Sequence, residues 1–230
     1  MIVVERGGAE FWGGVEHFNL FNAFGQVHLI ADIVGYYTPW NALDAPDEVE
    51  NVVHLVIATP PDLTPSVSPS DVRRIADRAE QWLRTHGDRA IRFDTRDGAI
   101  EVSQLTFGRT NDELFAAPEN SSFNEFAAWF DELYAGGFGS ERKKYVVFVD
   151  GISSAPAGIA ETPGSIAMVF TYPTTGGTPF VDDPFTPLIV LHELIHTLGA
   201  VSSCAPNHTD GGHVSEPNDL MNAVLFDPDA

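Results

Sequence analysis

Residues 192–199 read His-Glu-Leu-Ile-His-Thr-Leu-Gly, and this stretch decides how the rest of the chain is interpreted. Side chains four residues apart in a helix lie on the same face, one turn apart, so His192 and His196 can bind one cation together at ~2.1 Å. Glu193 projects about 100° further around the helix, so its carboxylate reaches the open side of the metal rather than the metal itself. The spacing therefore predicts a helix that carries two metal ligands and one acid–base group.

The flanking residues support a helix at this place. Thr186 followed by Pro187 is typical of an N-cap with proline at the first helical position. Asp182 and Asp183 lie just upstream, on the side that the helix dipole favours for negative charge. Gly199 follows the second histidine at the position where helices often end in a left-handed residue.

The chemistry of these groups points to hydrolysis. A carboxylate placed like Glu193 can take a proton from a zinc-bound water and pass it to a leaving amine. The pattern therefore predicts a zinc-dependent endopeptidase with Glu193 as the general base and Zn²⁺ held by His192 and His196. The alternative is an amphipathic core helix with two hydrogen-bonded histidines, which would bury three polar side chains among leucines at a cost in free energy.

The motif HExxHxxG with a later methionine resembles the metzincin clan of zinc peptidases. That clan places a third histidine three residues after the glycine, but here Ser202 occupies the position. The segment after Gly199 is similar to a branch of secreted bacterial metzincin-like proteins, in which the third histidine lies eight residues before the methionine. His213 has this spacing to Met221, so the resemblance implies His213 as the third ligand.

Three other side chains remain alternatives for the third ligand. His208 is the first of them, although its spacing to Met221 does not match the branch. Cys204 can bind zinc as a thiolate but lies close to the end of the helix. Asp210 is the weakest candidate. Gly211 and Gly212 favour His213, because glycines allow the backbone to turn back toward the helix.

Met221 resembles the methionine of the clan's Met-turn, a tight bend whose thioether packs beneath the zinc ligands; an ordinary buried methionine is the alternative. The similar branch continues with cysteine and tyrosine after this methionine, whereas this chain has Asn222 and Ala223. A tyrosine that stabilises the transition state is therefore not expected from this segment. Stabilisation of the oxyanion would then come from zinc or from another group.

The N-terminal region differs in character from the rest. Residues 15–21 and 27–37 alternate apolar and polar residues around a turn and predict a β-hairpin. They resemble the closing strands of an all-β module of secreted bacterial hydrolases and surface proteins. We therefore expect residues 1–38 to be part of such a module, residues 39–50 to be a linker, and the chain to be a piece of a longer extracellular protein.

Residues 51–230 are expected to form the catalytic domain. The resemblance implies an α+β fold, a metzincin-like zincin with a twisted mixed sheet, two main helices and the metal-binding helix. Periodicity predicts strands at 52–58, 91–93, 100–107, 145–149 and 165–172, and helices that start at Ser68 or Ser70 and end at Gly87, and at 123–134. By the same resemblance, strand 165–172 is expected at the sheet edge, where an extended peptide substrate could pair with it.

The formal net charge of −21 on 230 residues excludes nucleic acid and anionic membrane surfaces as partners. A peptide or protein substrate is the expected partner, and the sequence leaves the oligomeric state open. The single cysteine excludes an intramolecular disulfide. Two alternative functions remain. In the first, the protein is a secreted binding or adhesion protein, or a degenerate peptidase, and zinc is only structural. In the second, it is an amide hydrolase that acts on cell-wall peptides.

Overall fold

The computed structural model describes residues 2–6, 18–22, 52–87, 89–115, 126–151, 157–171 and 180–223. The chain divides into two compact units, Met1–Tyr36 and Tyr37–Ala230. In the first unit, strand β1 (Ile2–Arg6) pairs antiparallel with strand β2 (Phe18–Asn22). β2 overlaps the first strand of the expected hairpin, but residues 27–37 lie outside the described part. The all-β module and the linker at 39–50 remain predictions.

The second unit is built on a mixed five-stranded sheet with the strand order β6-β3-β7-β9-β8. Its strands are β3 (Val52–Thr59), β6 (Val102–Thr106), β7 (Lys143–Val149), β8 (Gly158–Ala160) and β9 (Ile166–Phe170). All neighbours are parallel except β8, which runs antiparallel to β9. The expected mixed sheet is confirmed.

The expected edge position of strand 165–172 is wrong. β9 lies between β7 and β8, and the described edge strand next to it is β8. All five residues of β9 are buried, as is typical of an interior strand covered on both faces. The sequence did not reveal β8, because three residues are too few to show a period.

Four helices accompany the sheet in the described residues: α1 (Pro69–Gly87), α2 (Asn111–Phe115), α3 (Ala127–Ala135) and α4 (Thr186–Thr197). Ser68 caps α1: its hydroxyl accepts the Asp71 N–H at 3.2 Å, and the Asp71 carboxylate accepts the Ser68 N–H at 3.0 Å. α3 coincides with the later part of the helix expected at 123–134; residues 116–125 are not described.

Two short hairpins complete the described elements. β4 (Thr95–Arg96) and β5 (Ala99–Ile100) pair across the turn at Asp97 and Gly98, both of which have positive φ. The second hairpin consists of β10 (His208–Thr209) and β11 (His213–Val214). The strand expected at 91–93 is reduced to one bridge between Phe93 and Val53.

The sheet is covered on both faces, so the unit has three layers. One face packs against α1 and α4 through Leu55, Val146, Phe148 and Val169. The other face packs against α3, whose Trp129 and Leu133 are fully buried. No helix in the described part of the chain is both long and apolar enough to cross a lipid bilayer.

A buried carboxylate ties the carboxyl ends of the strands together. Asp150, which directly follows β7, accepts hydrogen bonds from the hydroxyl of Thr59 at 2.9 Å, the N–H of Ser66 at 3.0 Å and the hydroxyl of Thr171 at 2.6 Å. The Ser66 hydroxyl also donates to it. The donors lie at the ends of β3 and β9, on either side of β7, so one side chain joins the carboxyl ends of three neighbouring strands.

Candidate metal centre

Helix α4 is held inside the unit along most of its length. It begins at Thr186 with Phe185 as the N-cap, so the expected cap at Thr186 is one residue too late. Pro187 lies in the first turn, as expected, and the Thr186 hydroxyl donates to the Phe180 carbonyl at 2.6 Å. The helix ends at Thr197, and Gly199 has a φ of 86°, in the left-handed region where only glycine fits without strain.

Three histidines meet on one side of this helix. The Nε2 atom of His196 lies 3.1 Å from Nε2 of His192 and 3.2 Å from Nε2 of His213. The rings of His192 and His213 are stacked with their centroids 5.2 Å apart, and the ring of His196 stands at right angles to that of His213. The three rings therefore direct the same nitrogen toward one common point.

The other ring nitrogen of each histidine contacts a backbone carbonyl. The Nδ1–H of His192 donates to the Leu220 carbonyl at 2.7 Å. The Nδ1–H of His196 donates to the Ala200 carbonyl at 3.0 Å, and that of His213 donates to the Asp210 carbonyl at 3.1 Å. A carbonyl only accepts, so each Nδ1 carries the proton. In the neutral ring each Nε2 is then an acceptor with an exposed lone pair.

Three lone pairs at this separation repel one another and cannot form hydrogen bonds among themselves. A cation at their meeting point removes the repulsion, and three nitrogens at tetrahedral positions ~2.1 Å from a zinc ion would be about 3.4 Å apart. Burial lowers the pKa of His192 to about 4 and also lowers that of His196, which keeps both rings neutral. The donor set fits Zn²⁺, with each ring oriented by a carbonyl behind it.

His213 reaches this point through a backbone reversal. Gly211 and Gly212 have φ values of 75° and 78°, and the Gly212 carbonyl accepts the N–H of Val201 at 2.9 Å. A Cβ on Gly212 would lie 3.5 Å from the His196 ring, so the loop passes close beneath the helix. His213 therefore approaches from the loop while the other two rings come from the helix.

The remaining candidates lie outside this group. Cys204 is exposed and lies 3.3 Å from the Ser202 hydroxyl. His208 is not among the side chains that converge in the described residues, and Asp210 takes part through its carbonyl rather than its carboxylate. In the paired hairpin His208 faces Val214, and Thr209 faces His213.

Met221 is 6% exposed and lies in a tight turn. The Asn222 N–H donates to the Asp219 carbonyl at 3.0 Å, which closes the turn over residues 219–222. Leu220 in the same turn supplies the carbonyl behind the His192 ring. The turn thus orients the His192 ring through a backbone carbonyl, a contact that the sequence did not reveal.

Glu193 is 6% exposed, and burial raises its pKa to about 8. Its side chain lies against Gly158 of the edge strand β8: a Cβ on Gly158 would be 2.6 Å from the Glu193 Cγ. Only glycine leaves room for the carboxylate here. Sequence reasoning missed Gly158, since a lone glycine outside any recognised motif gives no sign of what approaches it.

A second group of possible ligand atoms consists of His54, Asp94 and Glu101. The Asp94 carboxylate accepts from His54 Nδ1–H at 2.7 Å and from the Lys143 ammonium at 2.9 Å. The ammonium already supplies a positive charge at this carboxylate, so the group is a buried ion-pair network. The network gives the buried His54 a carboxylate partner and needs no metal.

No protein-family model and no curated protein matches this chain. Among solved structures, it is similar to archaemetzincin from Methanopyrus kandleri, with 17% identity and a TM-score of 0.40, covering 74% of this chain and 80% of that one. It is also similar to catalytically inactive OgpA from Akkermansia muciniphila in complex with an O-glycopeptide substrate, with 14% identity and a TM-score of 0.38, covering 67% of this chain and 49% of that one. Wild-type OgpA gives 11% identity and a TM-score of 0.36, covering 67% and 50%. Similarity of this degree assigns neither an activity nor a substrate.

Proposed function

We propose that this protein is a zinc-dependent endopeptidase of metzincin-like type, with His192, His196 and His213 as zinc ligands and Glu193 as the general base. The observation that supports this most directly is the convergence of three Nε2 atoms, each on a ring whose Nδ1 contacts a backbone carbonyl, beside a buried glutamate. Met221 is proposed as the Met-turn residue because its turn contacts the His192 ring through Leu220.

When bound at this site, zinc polarises a peptide carbonyl and lowers the pKa of water. Glu193 holds and moves the proton: its carboxylate accepts one from the attacking water and returns it to the leaving amine nitrogen. Burial strengthens its basicity, since the pKa of this carboxyl is raised to about 8. The packing of Glu193 against Gly158 fixes the position from which it acts.

The edge strand β8 is the proposed substrate-binding strand. Its pairing with β9 uses one side of its backbone, and an extended peptide could add antiparallel to the other side. Such a peptide would pass next to the Glu193 carboxylate, because that side chain lies against Gly158 of the same strand. Backbone pairing supplies affinity without selecting particular side chains, which suits an endopeptidase.

Metal content tests the ligand assignment. The purified wild type should hold one zinc per chain by elemental analysis, and His213→Ala should lose most of it. His208→Ala is the matched control, because it removes a histidine from the same hairpin and should retain full zinc. Stoichiometric zinc in His213→Ala together with loss in His208→Ala would contradict the assignment.

Cleavage of casein and of a mixed peptide library tests the activity. The wild type should cleave, and Glu193→Gln should keep zinc while losing at least ~100-fold in kcat, since the general base is gone. A zinc-loaded wild type that cleaves neither substrate would instead favour the structural-zinc alternative. Location outside the cell and the all-β module at 1–38 are part of the proposal and rest on the sequence resemblance.

A further inference from the structure

The basic residues are distributed unevenly along this chain. All 12 lysines and arginines lie at or before Lys144, so residues 145–230 contain ten acidic side chains and no lysine or arginine. In residues 52–144 the two signs are nearly balanced, with 15 acidic and 11 basic side chains. The acidic excess is therefore concentrated in the part of the chain that supplies β8, β9, α4 and the three converging histidines.

Both ends of α4 nevertheless have basic neighbours. At its start, the Arg74 guanidinium lies 3.5 Å from the Asp182 carboxylate, and Arg78 donates to two carbonyls of the segment before the helix. At its end, the Lys144 ammonium donates to the Thr197 carbonyl at 3.0 Å. These basic groups offset negative charge along the helix, so an excess at the site has to come from the loop that follows it.

Three carboxylates of that loop, those of Asp210, Glu216 and Asp219, are exposed. Within the part of the chain that the structure describes, no lysine or arginine pairs with any of them. The loop has no basic residue of its own, because the last one in the chain is Lys144. The negative charge of the loop is therefore not neutralised locally.

Two of these residues are tied to the metal-binding rings. The Asp210 carbonyl accepts from His213 Nδ1–H at 3.1 Å. The Asp219 carboxylate accepts the N–H of Met221 at 2.8 Å, and the same peptide unit accepts from the His192 ring through its carbonyl. Each carboxylate therefore lies within about 10 Å of the Nε2 atom of its ring, which is roughly the distance over which charges act at 0.1 M salt.

The site also contains a buried group without a partner in the protein. Glu193 is 6% exposed, and in the described residues its carboxylate makes neither a hydrogen bond nor an ion pair. A buried carboxylate without a donor costs free energy, so the site is built to receive a donor from outside the chain. An incoming molecule thus meets a buried acceptor at the centre and exposed negative charge on the adjoining loop.

We propose that the substrate of this site is a cationic peptide, with lysine or arginine close to the bond that is cut, and that Asp210 and Asp219 select it. This inference rests on the peptidase function proposed above and names its substrate class. Zinc presents its charge to the scissile carbonyl, whereas the exposed carboxylates face solvent, where the flanking side chains of an extended peptide lie. They attract basic flanking side chains and repel acidic ones.

Three fluorogenic peptides test the substrate class. They share a core taken from a casein fragment that the wild type cleaves, and four flanking positions carry lysine, glutamine or glutamate. At ~0.02 M NaCl, kcat/KM should be at least ~10-fold higher for the lysine peptide than for the glutamate peptide, with the glutamine peptide between them. The ratio should shrink at ~0.5 M NaCl, because salt screens the charges.

The double variant Asp210→Asn/Asp219→Asn tests the two residues. Asparagine keeps an oxygen that can accept the Met221 N–H, so zinc content and kcat/KM for the glutamine peptide should stay at wild-type level. The lysine-to-glutamate ratio should fall at least ~3-fold. Asp97→Asn/Asp112→Asn is the matched control, because it removes two exposed charges on either side of β6, at the sheet edge opposite β8. An equal fall in both double variants would show that overall charge selects the peptide and would overturn the assignment.

Binding separates a failure of this inference from a failure of the proposed function. Fluorescence anisotropy with zinc-loaded Glu193→Gln measures affinity without turnover, and the lysine peptide should bind at least ~10-fold more tightly than the glutamate peptide. Preferential binding without any cleavage by the wild type would contradict the peptidase function alone. Equal binding or equal cleavage of the two charged peptides would overturn the cationic substrate class and leave the peptidase function intact.

Discussion

At the scale of single residues, the state of each histidine ring follows from its backbone neighbour. The carbonyls of Leu220, Ala200 and Asp210 each accept from Nδ1, so the protein selects the tautomer that presents Nε2 to a metal. A carbonyl orients a ring without adding charge. The rings are therefore oriented by backbone groups rather than by charged side chains.

Gly158→Ala tests the close approach between the edge strand and the general base. The new methyl group would lie 2.6 Å from Glu193 Cγ, so the carboxylate must move. We expect zinc content to stay at wild-type level while kcat falls at least ~10-fold, because the base is displaced but the ligands are not. Steady-state kinetics with parallel zinc analysis measures this.

Gly108→Ala is the control for that substitution, since its added Cβ would meet only the carboxylate end of the Glu132 side chain, at 3.4 Å. It should leave kcat and zinc content unchanged. Full activity in Gly158→Ala would show that Glu193 does not depend on this contact.

The buried Glu193 should also make the stability of the metal-free protein depend on pH. Its folded-state pKa of about 8 lies above the ordinary value of 4.5, so the folded state retains a proton that the unfolded state loses. Stability from this group is therefore present below pH 4.5 and is lost as the pH rises to 8. The Glu193→Gln variant cannot lose this proton, so its stability does not fall over this pH range. The loss in the wild type amounts to about 1.4 kcal/mol for each unit by which folding raises the pKa of Glu193.

Urea unfolding in EDTA at pH 6.5 and pH 8.5 measures this difference. Unfolded histidines, with an ordinary pKa of 6.5, are still partly protonated at pH 6.5, but the wild type and the variant have the same histidines, so this contribution cancels in the difference. Glu193→Gln should be more stable than the wild type, and the difference in their free energies of unfolding should grow as the pH rises. A difference that shrinks with pH would mean that the carboxylate is well solvated or paired in the folded state.

At the scale of elements, the sequence predicted those features that depend on local patterns. Apolar runs, a helical period and capping residues predicted the bounds of five elements to within a few positions, namely β3, β7, β9, α1 and α4. The position of β8 at the edge did not follow, because strand order depends on contacts between distant segments. For the same reason the sequence could offer His213 only through a resemblance to a family, and it could not show the carbonyls behind the rings or the approach of Gly158.

Asp150→Ala tests how firmly the strand ends are tied together. Removing the carboxylate leaves the buried hydroxyls of Thr59 and Thr171, and the N–H of Ser66, without this acceptor, which should reduce the free energy of unfolding by about 3 kcal/mol. Urea unfolding measures it. Asp182→Ala, where the side chain is 58% exposed, is the control and should change stability by under ~0.5 kcal/mol. Equal effects in the two variants would argue against a role for Asp150 in fixing the sheet.

At the scale of the whole molecule, the charge is the dominant property. With a net charge of −21, the acidic side chains repel one another, and this repulsion is stronger in the compact folded state than in the expanded unfolded state. Salt screens this repulsion over a Debye length of about 10 Å at 0.1 M. We therefore expect the unfolding temperature to rise on the order of 3 °C between 0.02 and 0.5 M NaCl, measured by calorimetry. A fall with added salt would mean that ion pairs such as Lys143 with Asp94 outweigh the repulsion.

The segment of residues 213–220 determines the positions of two of the three rings. It begins with His213 itself and ends with Leu220, whose carbonyl accepts the hydrogen bond that orients the His192 ring. Several residues of this segment are exposed, including Ser215 and Glu216. A cut at these positions would separate His213 from Leu220 along the chain, so the positions of two of the three rings would be disturbed together.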